Sequence, residues 1–176
     1  MSKIAVVYKS KYGATKKYAG WIAKELDAEL LEAGKTDPAG LGAYDGIVYG
    51  GGLYAGGIAG LKPFTKKTFK NLAVFTVGLA DPAETDYSEQ IRMAFGPELP
   101  AGVKVFHLRG DMDYGKLSPL HRVMMSVMKS SIAKRPESER NAEDKLFLET
   151  YGGKMDFVDK ESIVPLVEHM RTVAGR

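Results

Sequence analysis

The segment Lys3-Ile-Ala-Val-Val-Tyr8 constrains the fold more than any other part of the chain. Side chains of a strand alternate between two faces, so an unbroken, largely β-branched apolar run reads as a strand covered on both. A turn of about six residues then leads into a helix, the first half of a β-α-β unit. From Thr15, the positions Tyr18, Ala19, Ile22, Ala23 and Leu26 fall on one helical face, and Lys16, Lys17, Lys24 and Glu25 on the other.

The alternation continues. The pattern predicts a weak strand at Glu29–Ala33, a strong one at Gly46–Tyr49 that ends in glycines, and a helical stretch near Ile58–Lys67. A strand at Ala73–Val77, a short helix around Tyr87–Phe95 and a strand at Val103–Leu108 follow. The last helix carries Ile163, Leu166, Val167, Met170 and Val173 in register, and Pro165 leaves two placements open. Either the helix starts at Ser162 with the proline in its first turn, or it starts near Asp159 and is distorted. Five strands alternating with helices predict an open, doubly wound α/β sheet of five parallel strands in the order 2-1-3-4-5.

At 176 residues, a single domain over 1–176 is expected. Residues 111–158 exceed what the sheet needs and are expected to form a helical insertion after strand 5. Ser118-Pro119 is a good helix start, followed by a stripe of Leu120, Val123, Met124, Val127, Met128 and Ile132. The charged segment Lys134–Lys145 is expected to be an exposed loop.

Composition removes several classes of function. The chain has no cysteine, which excludes disulfides, thiolate catalysis and iron–sulfur ligation, so redox chemistry would need a bound organic cofactor. His107, His121 and His169 lack ligand spacing and read as ordinary surface or helix histidines, so no metal site is expected. The 25 basic residues are interleaved with 22 acidic ones for a net charge of +3, which does not resemble a nucleic-acid binder. Apolar runs fall far short of the roughly 20 residues that span a bilayer, and the N-terminus lacks a signal-like run; a cytoplasmic location is expected.

In such a sheet, ligands bind beyond the carboxyl ends of the strands, where strand order reverses. Three loops are expected to meet there. Ser10-Lys-Tyr-Gly-Ala-Thr15 offers hydroxyls from Ser10, Tyr12 and Thr15, with a run of backbone N–H groups at a positive helix end. It lacks both the nucleotide P-loop and the three-glycine dinucleotide pattern, so a monophosphate fits better. A plain helix cap also accounts for its hydroxyls. Gly50-Gly-Gly-Leu-Tyr-Ala-Gly-Gly57 combines backbone freedom with Leu53 and Tyr54, which can cover a planar ring; it also reads as a flexible glycine loop. Thr76-Val-Gly-Leu-Ala-Asp-Pro82 offers main-chain groups around Gly78.

Tyr8-Lys-Ser-Lys-Tyr-Gly-Ala-Thr15 resembles the flavodoxin phosphate-loop pattern, placed after the first strand. The resemblance implies a single flavodoxin-like domain that binds FMN and acts in electron transport. It places Ser10, Lys11, Tyr12, Gly13, Ala14 and Thr15 at the phosphate. Around the ring it places Gly52, Leu53, Tyr54 and Gly56 from the second loop, and Val77, Gly78, Leu79 and Asp81 from the third. Asp113-Tyr-Gly-Lys-Leu-Ser-Pro-Leu-His-Arg-Val-Met-Met-Ser-Val-Met-Lys129 further resembles the insertion helix of the subgroup that includes menaquinone-dependent protoporphyrinogen dehydrogenases. Against that subgroup, 134–157 is longer and more charged, and His121 stands where an acid is expected. Against ordinary flavodoxins, the chain is basic rather than acidic.

Two functions are expected from this: an FMN electron carrier with a redox partner protein, or an FMN oxidoreductase that oxidises protoporphyrinogen IX and reduces a quinone. A phospho-acceptor signalling domain is excluded by Gly50-Gly51-Gly52 at the strand 3 end, and a serine hydrolase by the lack of a nucleophile elbow. The stripe on the insertion helix reads either as core packing or, with Met125 widening it and Arg122, Lys129, Lys134 and Arg135 nearby, as a surface for a membrane, a quinone tail or a partner. Through 118–135 it gives a route to peripheral membrane contact or to a homo-oligomer.

Overall fold

The computed structural model describes residues 2–54 and 57–175. Its centre is a sheet whose strands are β1 (Ile4–Lys9), β2 (Glu29–Glu32), β3 (Gly46–Tyr54), β4 (Gly57–Ile58), β5 (Leu72–Gly78) and β6 (Val103–Arg109). Five of these pair in parallel in the order β2-β1-β3-β5-β6, the predicted order, while β4 pairs antiparallel with β3. The helices are α1 (Ala14–Glu25), α2 (Lys62–Thr65), α3 (Ser88–Phe95), α4 (Pro119–Ala133), α5 (Ala142–Thr150) and α6 (Val164–Val173).

The run that opens the sequence analysis does what its alternation dictates. Ile4 and Val6 join Val48, Ala73, Phe75 and Val77 on one face, beneath α1 and α6. Ala5 and Val7 join Ile47, Tyr49, Leu72 and Val74 on the other, covered by Leu41, Leu61 and Phe64. Each fully buried side chain of this kind contributes about 1.5–3 kcal/mol, so the two faces together fix the register of every central strand.

Four expectations are corrected. First, the glycines after Tyr49 are strand, not loop. Gly50 and Gly51 pair with Tyr8 and Lys9 on one side and with Phe75 and Thr76 on the other. A Cβ on Gly50 would overlap the Phe75 ring, and one on Gly51 would lie 2.7 Å from the Ala59 carbonyl oxygen. These glycines admit neighbours rather than confer freedom. Second, the helix near Ile58–Lys67 shrinks to the four residues of α2 because Gly57-Ile58 is taken up as β4.

Third, Lys134–Lys145 is only partly loop. Asn141 caps α5 by accepting from the Asp144 N–H, and Arg135 pairs with Asp144 at 3.1 Å. The Arg140 guanidinium donates to the Ala133 and Arg135 carbonyls at the end of α4. Fourth, the stripe on α4 is not core. Leu120, Val123, Met124, Val127 and Met128 are exposed, Met125 is half-buried on another side, and Ile132 alone in that helix is buried. Pro165 sits in the first turn of α6, preceded by a single-turn 3-10 helix capped by Asp159.

Residues 111–156 form an excursion from the end of β6. Strand β7 (Asp111–Asp113) pairs antiparallel with β8 (Lys154–Asp156). At the base, the Gly110 N–H donates to the Gly78 carbonyl (2.7 Å) and the Phe157 N–H donates to the Gly110 carbonyl (3.0 Å). The buried residues Tyr114, Leu117, Ile132 and Phe147 belong to neither core cluster of the sheet. Among the described residues, no helix is long and apolar enough to cross a membrane.

Candidate functional site

The carboxyl ends of β1, β3 and β5 converge on the first turn of α1. Gly13 is the N-cap, at φ 115°, and no side chain caps the helix. The Ser10 hydroxyl instead accepts from the Gly13 N–H at 3.2 Å, which folds the loop back on itself. There is no acidic residue in the first turn, so the helix end leaves its amide dipoles, with the exposed Lys11 on the preceding loop, open to an anion. A plain hydroxyl cap therefore does not account for Ser10. Ala14 and Thr15 are buried; Lys11, Tyr12 and Gly13 are exposed.

Second and third loops close on this turn. A Cβ placed on Gly78 would lie 3.3 Å from Leu53 Cδ1, so Leu53 covers Gly78. A Cβ on Gly110 would lie 2.7 Å from Val77 and 3.6 Å from Ala14. Val77 and Gly78 lie at the end of β5 itself, ahead of Leu79–Asp81. The Arg109 Nε–H donates to the Leu79 carbonyl (3.1 Å), its Nη1 lies 3.7 Å from Asp81, and its guanidinium stacks on Phe157 at 3.8 Å. Arg109 thus holds the Leu79–Asp81 turn to the base of the excursion. Gly56 lies outside the described residues, and Gly52 is in β3 with the Tyr54 ring folded over it.

The insertion reaches the site as well. His121, in the first turns of α4, shares a 2.5 Å hydrogen bond through Nδ1 with the Tyr12 hydroxyl, and its Nε2 lies 3.4 Å from Lys11 Nζ. The Ser118 N–H donates to the same Tyr12 oxygen at 3.5 Å. The Tyr54 and His121 ring centroids are 5.7 Å apart. Burial, and to a lesser degree the nearby Tyr12, holds the Tyr54 phenol above its ordinary pKa, so it stays a neutral hydrogen-bonding group.

Sequence reasoning missed three positions. His107 is not a surface or helix histidine; it lies in β6, half-buried, stacked on Tyr87 at 3.7 Å and 2.6 Å from the Thr76 hydroxyl. Burial pushes its pKa down to about 4. Gly110 carried a legible signal, a glycine directly after a strand as in the other two loops. Nothing in the pattern pointed Ser118 toward Tyr12. Two surface recesses, one beside Pro38, Pro63 and Lys66 and one beside Val127 and Ser130, lie apart from the three loops. Among the described residues there is no cluster of three metal-ligating side chains.

Residues 5–139, more than half of the chain, match the flavodoxin-domain family. The chain belongs to that family. No curated protein sequence matches this flavodoxin-domain chain. Similar solved structures include oxidised flavodoxin 2 from Bacillus cereus, 28% identical over 61% of this chain and 86% of that one, with a TM-score of 0.42. Another is a Lactobacillus acidophilus flavoprotein in complex with FMN, 20% identical over 62% and 93%, with a TM-score of 0.43. The assignment rests on the family match alone.

Proposed function

We infer that this flavodoxin-domain protein works in electron transfer, with FMN held at the ends of β1, β3 and β5. FMN is the cofactor that family membership brings, and it supplies one- and two-electron redox chemistry when bound. The observation that carries the reading is the uncapped, acid-free N-terminus of α1 with Leu53, Gly78 and Ala14 gathered around it. A monophosphate suits that helix end. Ser10, Lys11, Tyr12 and the amides from Gly13 to Thr15 would hold it, while Leu53, Tyr54 and the Gly78–Asp81 backbone would hold and shield the ring. No side chain needs to move a proton for carrier chemistry; the residues bind, orient and exclude water.

Adding FMN to the purified protein and recording the visible spectrum tests this. A bound-flavin spectrum that bleaches on anaerobic reduction is expected, and its absence would overturn the reading. Replacing Gly78 by Val, which collides with Leu53, is expected to weaken FMN binding by tenfold or more. A narrower reading, oxidation of protoporphyrinogen IX with electrons passed to a quinone, is favoured by one observation: the apolar helix of the insertion starts at the phosphate loop. Flavin-dependent turnover with a menaquinone analogue would establish it; a flavin spectrum without turnover would leave a carrier with a protein partner.

A further inference from the structure

We propose that α4 is a docking element for an anionic lipid bilayer, and that it sets the three-loop site against the membrane surface. Leu120, Val123, Met124, Val127 and Met128 form one continuous strip along the first three turns, and every one of them is exposed, Leu120 at 67% and Val127 at 65%. The strip is centred about a third of a turn away from Ile132 and Met125, the side by which the helix meets the rest of the chain. It is therefore a second apolar face, left over after the helix has been packed. An isolated exposed leucine needs no explanation, but a strip of five does.

The charges choose the occupant. Residues 114–136 contain Lys116, Arg122, Lys129, Lys134 and Arg135 and no acidic residue; Arg135 is paired with Asp144 of α5 and Lys129 lies over the Tyr151 ring, which leaves Lys116 and Lys134 as the exposed cations at the two ends of the strip. A second copy of this helix would set like charge against like charge. A convex helix with a continuous apolar strip and a cationic remainder lies in the plane of a bilayer interface, strip inward, with its lysines among anionic headgroups. The long, flexible side chains of Lys116 and Lys134 let their ammonium groups reach headgroups around the strip. Because His121 and Ser118 at the start of the helix hold Tyr12 of the phosphate loop, a docked helix carries that loop to the interface. The lipid contact itself stands whether or not the loops hold FMN.

The test is sedimentation of the full chain, with and without FMN, against vesicles of phosphatidylcholine alone and of equal parts phosphatidylcholine and phosphatidylglycerol. Binding to the anionic vesicles is expected, with little to the zwitterionic ones. Exchanging both Lys116 and Lys134 for Gln should lower the anionic-vesicle affinity roughly tenfold or more, and the Val123→Gln/Val127→Gln pair should lower it by a similar factor with FMN binding unchanged. Circular dichroism checks that these surface variants fold. No binding to anionic vesicles, binding indifferent to the valine pair, or a homodimer in sedimentation velocity that the valine pair dissolves would each overturn the proposal.

Discussion

Two helices of the same chain make opposite use of their apolar side chains. Helix α1 buries Tyr18, Ala19, Ile22 and Ala23 under the sheet, whereas α4, with at least as many apolar residues in periodic register, buries Ile132 alone. Periodicity reports which residues share a face. It is silent on what, if anything, covers that face. α1 follows a central strand and is pulled onto it by a short turn, while α4 hangs on an excursion whose buried apolar residues, Tyr114, Leu117, Ile132 and Phe147, lie outside both core clusters of the sheet.

The widest test of this contrast is a pair of truncations. Ile22→Ala, at a fully buried position, is expected to cost about 3 kcal/mol. Val127→Ala is expected to change stability by less than about 0.5 kcal/mol. Urea denaturation of both variants decides it, and equal losses would mean that the strip on α4 is packed.

Much of the sheet was legible because a strand buried on both faces leaves an unbroken apolar run. β1, β5 and β6 lie within one or two residues of their predicted bounds, and the parallel order follows from the crossovers. What escaped was governed by contacts distant in sequence. Gly50 and Gly51 look like a loop until Phe75 and the Ala59 carbonyl are seen against them. β7 and β8 are three residues each and about forty apart, too short to show any period. The candidate site divides the same way. The loop Ser10–Thr15 was legible from local chemistry as a hydroxyl-bearing turn into a helix, whereas the meeting of Tyr12 with His121 joins residues 109 apart in sequence and depends on where the excursion folds back.

A smaller effect probes the glycine in the sheet. Gly50→Ala is expected to cost about 1–3 kcal/mol by pushing into Phe75. Combined with Phe75→Leu, it should cost less than the sum of the two single changes, because the smaller side chain relieves the overlap. Additive losses in denaturation would mean that the ring is not the obstacle.

Acid should act on the sheet through His107. Its folded pKa, about 4, lies below the ordinary 6.5 because the imidazole is half-buried. Between those values the unfolded chain binds the proton more readily, so the contribution is complete above pH 6.5 and is lost as pH falls toward 4. In His107→Gln, the slope of stability against pH over that window should flatten; an unchanged slope would assign it elsewhere. The smallest expected effect belongs to His121→Ala. Releasing Tyr12 should cost less than about 1 kcal/mol globally, yet speed amide exchange at both 10–15 and 118–124. Faster exchange in α4 alone would show that the two segments are not coupled.

Gly110 gives the molecule a neck. Its N–H is tied to the end of β5 and its carbonyl to Phe157, so the chain leaves the sheet and returns to it through a single clasped residue. The closure entropy of what lies beyond grows only logarithmically, about 0.6 kcal/mol for each doubling of length. The neck therefore acts as a socket: segments of quite different size and character can be plugged in there while the strands, their register and the three loops stay as they are.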